Sequence, residues 1–219
     1  MNLRTTSLLT IAGGIVAAAI VAVLSAQSSD RRGIWAAAGQ RLDAVQGDGA
    51  RDFPSPNRLV TIREREGALS VIGKDRTTLL EEIPSTPSLT EVLWSPNSAA
   101  FVINASDGGL VGTWDAHLYV ISADGRPTAR DVRRLIEPQA KGVAKCATEE
   151  VVNFGAATWL QEGKELLIVL EVPPHTSCRN PGALVGYRLS LSEWKVLERI
   201  PEQTLRTAWS RSLGRRFAR

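Results

Sequence analysis

Residues 93–104 read Leu-Trp-Ser-Pro-Asn-Ser-Ala-Ala-Phe-Val-Ile-Asn. The Ser-Pro-Asn centre is turn chemistry. Proline presets the backbone for the second turn position, and an asparagine side chain bonds its own backbone two residues on. The apolar runs on either side are too short for helices and rich in Phe, Val and Ile, so they predict two strands joined by a tight turn. Downstream, His117-Leu118-Tyr119-Val120 predicts a third strand. Ser122-Ala123-Asp124-Gly125 predicts a turn whose glycine accepts positive φ.

The same grammar extends along the chain. Residues 58–63, 68–72, 78–83, 91–94, 99–104, 117–122, 132–136, 156–160, 165–171, 184–191, 195–200, 205–209 and 215–218 are expected as strands, with Gly, Asn, Asp and Pro between them. Many short strands and frequent turns point to an all-β, antiparallel fold. No alternation of strand and helix appears, which excludes a parallel α/β sheet. A repeat sharpens the choice. Ser55-Pro56-Asn57 recurs as Ser95-Pro96-Asn97, and each copy leads into an apolar strand. Trp94, Trp159 and Trp209 each end an expected strand before a turn, with a second strand starting about five residues later.

The unit formed by Leu93–Asn97, Ala100-Phe101-Val102, His117–Val120 and Ser122–Gly125 resembles the blade repeat of TolB-type β-propellers. The family favours Asp-Gly where this chain has Asn97-Ser98. The likeness is best over residues 89–136, fair over 154–201 and weak over 55–84. It implies about three antiparallel sheets arranged as in a propeller. Three repeats can be written, and a fourth starts at Leu205, whereas propellers usually carry 4–8 blades. The expectation is therefore an incomplete ring, a small atypical one, or a stacked β-repeat. Closure through residues 205–209, added to the sheet of residues 58–83, would protect an open edge. Residues 106–115, read as an insertion between two blade strands, together with the Trp-Ser-Pro unit before them also resemble small exported bacterial proteins of unassigned role, which implies no activity.

At the N-terminus, Arg4 precedes an uncharged stretch over residues 8–26, and the first acidic residue is Asp30. That is the layout of a secretory signal. Leu24-Ser25-Ala26 suits cleavage, while an apolar run of this length can also span a bilayer as an anchor. Either reading exports the remainder, to the periplasm or beyond, or holds it outward from a membrane. Residues 27–57 read as a connector with one short helix over 34–45, and residues 58–219 as the repeat domain. Membrane contact is expected only through residues 8–26.

Composition narrows the chemistry. Of 219 residues 43% are hydrophobic, and 26 basic against 23 acidic side chains leave a net charge of +3. No nucleic-acid-binding surface is expected from that balance. Arg206, Arg211, Arg215, Arg216 and Arg219 read as a solvated outer strand and tail. The chain has two cysteines, Cys146 and Cys178. In an exported chain they are expected as a disulfide. The alternatives are free thiols, or ligands of a metal together with His175. Aspartates 107, 115 and 124 suit turns better than a calcium site.

His117 and His175 are the only histidines, and no Gly-x-Ser-x-Gly, Ser-x-x-Lys or His-Glu-x-x-His motif accompanies them. No cofactor is implied and an enzyme is not expected. The reading is a non-catalytic β-repeat domain that binds a protein or a cell-envelope component, through loops 105–116 and 172–183. Asp107, Trp114, Asp115 and His175 are the candidate contact residues. The alternative is an exported hydrolase whose site lies around His175 and the 107–115 loop. A module that works only as an oligomer would follow from an unclosed ring.

Overall fold

The chain divides into two compact units, Met1–Arg32 and Gly33–Arg219. The computed structural model describes residues 32–44, 49–80, 83–108, 113–146 and 151–218. The expected signal or anchor, and the end of the expected 34–45 helix, lie outside these residues.

Three antiparallel sheets form the second unit. The first contains β2 (Arg51–Pro54), β3 (Thr61–Arg65), β4 (Ala68–Ile72) and β5 (Thr77–Leu80), in that order. The second runs β6 (Thr90–Trp94), β7 (Ala100–Ser106), β8 (Trp114–Ile121) and β9 (Pro127–Arg130), with the two-residue β1 (Gln40–Arg41) on the free edge of β6. The third contains β10 (Asn153–Leu160), β11 (Glu165–Glu171), β12 (Leu184–Ser190) and β13 (Lys195–Pro201). Each is a meander of four consecutive strands, as antiparallel pairing allows, with a short turn sufficing at most reversals and the long 107–113 and 172–183 connections at two of them. Two helices, α1 (Val132–Ala140) and α2 (Glu202–Ala208), follow the second and third meanders.

The sheets pack face to face, and the burial pattern follows. One side of the second sheet, with Val92, Trp94, Phe101 and Ile103, meets Phe53, Ile62, Leu69 and Val71 of the first. Its other side, with Leu93, Ala100, Val102 and Leu118, meets α1 and Phe154, Leu166, Ile168 and Leu170 of the third. Every residue of β6 and β7 is therefore buried, which explains the apolar runs Val92–Trp94 and Ala100–Ile103 within them. The first sheet covers only one face, so β3 and β4 alternate buried and accessible residues. The far side of the third sheet is covered by Trp35, Leu205 and Leu213.

The repeat is visible in the hydrogen bonds. In the first turn Ser55 Oγ donates to Asn57 Oδ1, which accepts Leu59 N, while Ser55 Oγ accepts Val60 N. In the second, Ser95 Oγ donates to Asn97 Oδ1, which accepts Ala99 N, and Ser95 Oγ accepts Ala100 N. Arg58 and Ser98, the next residue of each, share positive φ values of 60° and 61°. Trp94 Nε1 donates to Phe53 O at 3.0 Å, and Trp159 Nε1 donates to Leu93 O at 3.2 Å. Phe53 and Leu93 hold the same place, each two positions ahead of the serine of its turn. Each indole thus reaches the matching carbonyl of the preceding sheet. A bulge between Ala156 and Thr158 makes this possible. It resets the alternation by one residue, so that Trp159 rather than Thr158 turns toward the second sheet.

Several expectations are corrected. Residues 34–44 form no helix: Ala36 makes an isolated bridge, β1 follows, and Leu42–Ala44 is a 3-10 turn. The first sheet begins upstream of residue 58, at Arg51. Residues 132–136 and 205–209 lie in or at the ends of helices, and Arg215–Phe217 is a 3-10 turn. Trp209 therefore ends α2 and is not the counterpart of Trp94 and Trp159. Residues 205–209 do not join the first sheet. Instead the C-terminal segment runs along residues 33–36: Gly214 N, Arg215 N and Arg216 N donate to Trp35 O, Gly33 O and Ile34 O at 2.8–3.0 Å.

Candidate binding cleft

Two long loops were expected to carry the contacts. Trp114 does not lie in one of them. It opens β8, is 4% exposed, and packs its ring 6.0 Å from that of Trp35. Its backbone N–H donates to Asn153 Oδ1 at 3.0 Å. Asn153 donates to Glu171, and Glu171 is held by Arg216 Nε at 2.8 Å. The Arg216 guanidinium lies 5.2 Å from the Trp35 ring and 5.4 Å from that of Trp114. This cluster fastens the C-terminal segment to the sheets.

Asp115 is half-buried and pairs with Arg133 Nε at 3.1 Å. The same guanidinium covers the Phe154 ring at 4.4 Å. His117, two residues along β8, feels both charges. Burial pushes its imidazole below the usual histidine range, Asp115 pulls it back, and Arg133 depresses it further. Asp107 and His175 are exposed, in the loops that follow β7 and β11. Asp115 is thus ion-paired with Arg133, and its pull on His117 is electrostatic.

Cys146 and Cys178 form the disulfide. It ties the segment after α1 to the 172–183 loop, where Asn180 also accepts Lys145 N and donates to Val143 O. Both thiols are consumed, which rules out their use as metal ligands beside His175. A disulfide is consistent with an oxidising compartment.

Nothing in the sequence pattern marks the most buried carboxylate. Glu91, on β6, is fully buried and accepts the backbone N–H groups of Ile34, Trp35 and Ala36, plus Asn104 Nδ2 at 2.7 Å. Burial raises its pKa against the pull of those donors. Asn104 continues the chain of contacts, exchanging two hydrogen bonds with the Ala156 backbone in the third sheet. Gly33 lies so close to Glu91 Oε2 and Ala36 O that any Cβ there would collide with them. With no open side, this is a structural joint.

An open feature lies elsewhere among the described residues. A cavity of about 460 Å³ is lined by Ala129, Arg130, Asp131, Arg134, Leu135 and Trp194. Three elements meet there: the end of edge strand β9, the first turn of α1, and the β12–β13 turn. Asp131 caps α1 by accepting Arg134 N at 2.9 Å. Arg130 stacks over Trp194 at 5.6 Å from the ring centre. Trp194 has φ 48°, the left-handed region. The third hairpin of the second sheet puts Gly125 there, with φ 77°. A side chain in that conformation costs about 1–2 kcal/mol, so an indole is held where glycine would be easier. The cavity's volume falls within the span of ligand sites, roughly 300–1,000 Å³. Single-sequence reading misses the cleft because its residues come from two separated segments, although a Trp in a turn ordinarily built with glycine is a visible signal.

No family model matches the chain, and neither a curated protein nor a solved structure matches it.

Proposed function

We propose that the chain is an exported, non-catalytic β-repeat domain that binds a protein or cell-envelope component, built on TolB-type propeller repeats. The repeat part of this reading is supported by the paired Ser-Pro-Asn turns and by the two indoles that bond matching carbonyls. Export is supported by the uncharged 8–26 stretch behind Arg4 and by the disulfide. The observation that carries binding is the open cleft at the rim of a rigid sheet stack, with two guanidiniums and an indole on its walls. The hydrolase alternative draws less support, since Asp115 is held by Arg133 and Trp114 is packed in the core.

Fractionation tests the reading. The expected result is a chain recovered from the envelope, starting near Gln27 or retained in the membrane. In-cell cross-linking should join it to an envelope component. An intact chain in the cytoplasm, with no cross-linked envelope component, overturns it.

A further inference from the structure

We infer that the Arg130–Arg134–Trp194 cleft takes an acidic segment of a protein partner, clasping its carboxylates between the two guanidiniums. This rests on the binding role proposed above and names its chemistry. Arg133, Arg188, Arg206 and Arg216 each face a carboxylate of their own chain. Arg130 and Arg134 form no ion pair among the described residues, as is also true of Arg58, Arg179 and Arg211; what sets the two apart is that both line one cavity beside Trp194. A guanidinium presents a planar fork of donors that matches a carboxylate in two parallel hydrogen bonds. The indole of Trp194 holds the Arg130 fork in place from one side, which reduces the freedom lost on binding.

The one acid in the lining, Asp131, already accepts the Arg134 backbone N–H as the helix cap. With two arginines against that one carboxylate, the lining is net positive. The cleft opens at β9, the outermost strand of its sheet, whose residues Thr128, Ala129 and Arg130 are all exposed. An edge strand has unpaired backbone groups and can take up an extended chain. Two cations beside an open strand edge suit an extended acidic peptide better than a compact anion.

Calorimetry on the exported chain tests this with blocked tetraglutamate as probe, and with succinate and inorganic phosphate as small-anion arms. Saturable tetraglutamate binding is expected, weakening at least tenfold between about 50 and 300 mM salt. It should fall at least tenfold in Arg130→Gln/Arg134→Gln and stay unchanged in Arg211→Gln, an exposed arginine distant in sequence. Trp194→Phe should keep most of the affinity, and Trp194→Ala should lose three- to tenfold. The exposed arginines allow a folded double variant, which circular dichroism would verify. Equal binding by wild type and double variant overturns the inference. So does succinate or phosphate binding as tightly as the peptide, which would make the cleft a small-anion pocket. If the double variant still cross-links to its envelope component, the cleft assignment fails while the binding role stands.

Discussion

At the residue scale, Trp94 and His117 show opposite uses of burial. Trp94 fills the interface between the first and second sheets, and its one polar atom donates to Phe53 O. Trp94→Ala should cost about 3–5 kcal/mol, the range for buried aromatic truncations, and Trp159→Ala should cost a similar amount. Urea unfolding followed by circular dichroism measures both. His117 instead carries a lowered pKa. In the window between its folded pKa and the ordinary histidine value of 6.5, the unfolded chain binds the proton and the folded chain does not. Stability therefore rises with pH across that window and is lost as pH falls through it. His117→Asn should flatten this part of the profile, so that urea midpoints at pH 5.5 and 7.5 lie closer together than in the wild type. An unchanged difference would show that other groups set the slope.

At the element scale, the two Ser-Pro-Asn turns offer a controlled comparison. Arg58 and Ser98 occupy the same left-handed position. Arg58→Gly removes the strain and should stabilise by roughly 0.5–1 kcal/mol. Ser98→Gly removes the same strain but also the Oγ that accepts Asn57 N at 3.0 Å, so its effect should be near zero. Thermal melts of the two variants would separate the terms. These turns are legible in the sequence because their chemistry is local, as are the apolar runs of β7 and β11. The helix at Val132–Ala140 is not. Its N-cap Asp131 and the buried Val132 and Ile136 fit a helix, yet Pro138 inside it argues against one. Residues 34–36 mislead for another reason. Their burial is dictated by Glu91, on a strand far along the chain, and no local periodicity encodes that. The cleft is hidden on the same grounds, since Arg130 and Trp194 meet only after the sheets pack.

At the scale of the whole folded unit, the stack is finished differently at its two ends. The first sheet shows solvent a largely polar outer face, with Asp52 and Arg63 paired across neighbouring strands and Leu79 exposed beside them. The third sheet is capped by α2, Leu213 and Trp35. A repeat array needs a polar or covered face at each end, and this one has one of each. Cutting the chain after Ser212 should therefore be severe. It removes Leu213, the three backbone bonds to residues 33–36, and the Arg216 partner of nearly buried Glu171. Loss of one partner of a buried ion pair alone costs about 3–5 kcal/mol. The truncated chain should bind a hydrophobic dye strongly at 25 °C, and native-like dye exclusion would contradict this account of the cap. Reduction of the disulfide should be milder, about 3–4 kcal/mol by loop entropy, read as a lowered urea midpoint in dithiothreitol.

The pairing of residues 214–216 with residues 33–35 brings the two ends of the folded unit within one hydrogen bond of each other, Arg215 N to Gly33 O at 2.9 Å. Topologically the unit is nearly a closed loop of chain. A Gly-Ser bridge from Ala218 to Gly33 would have to make up the three residues by which Ala218 lies beyond Arg215. New ends could then be opened in the turn at the exposed Asp124, since exposed loop tips tolerate such cuts. In a permuted chain of that kind, the C-terminal segment and the residue 33–36 strap would be neighbours in sequence. A contact that now joins the two extremes of the unit would become a local turn.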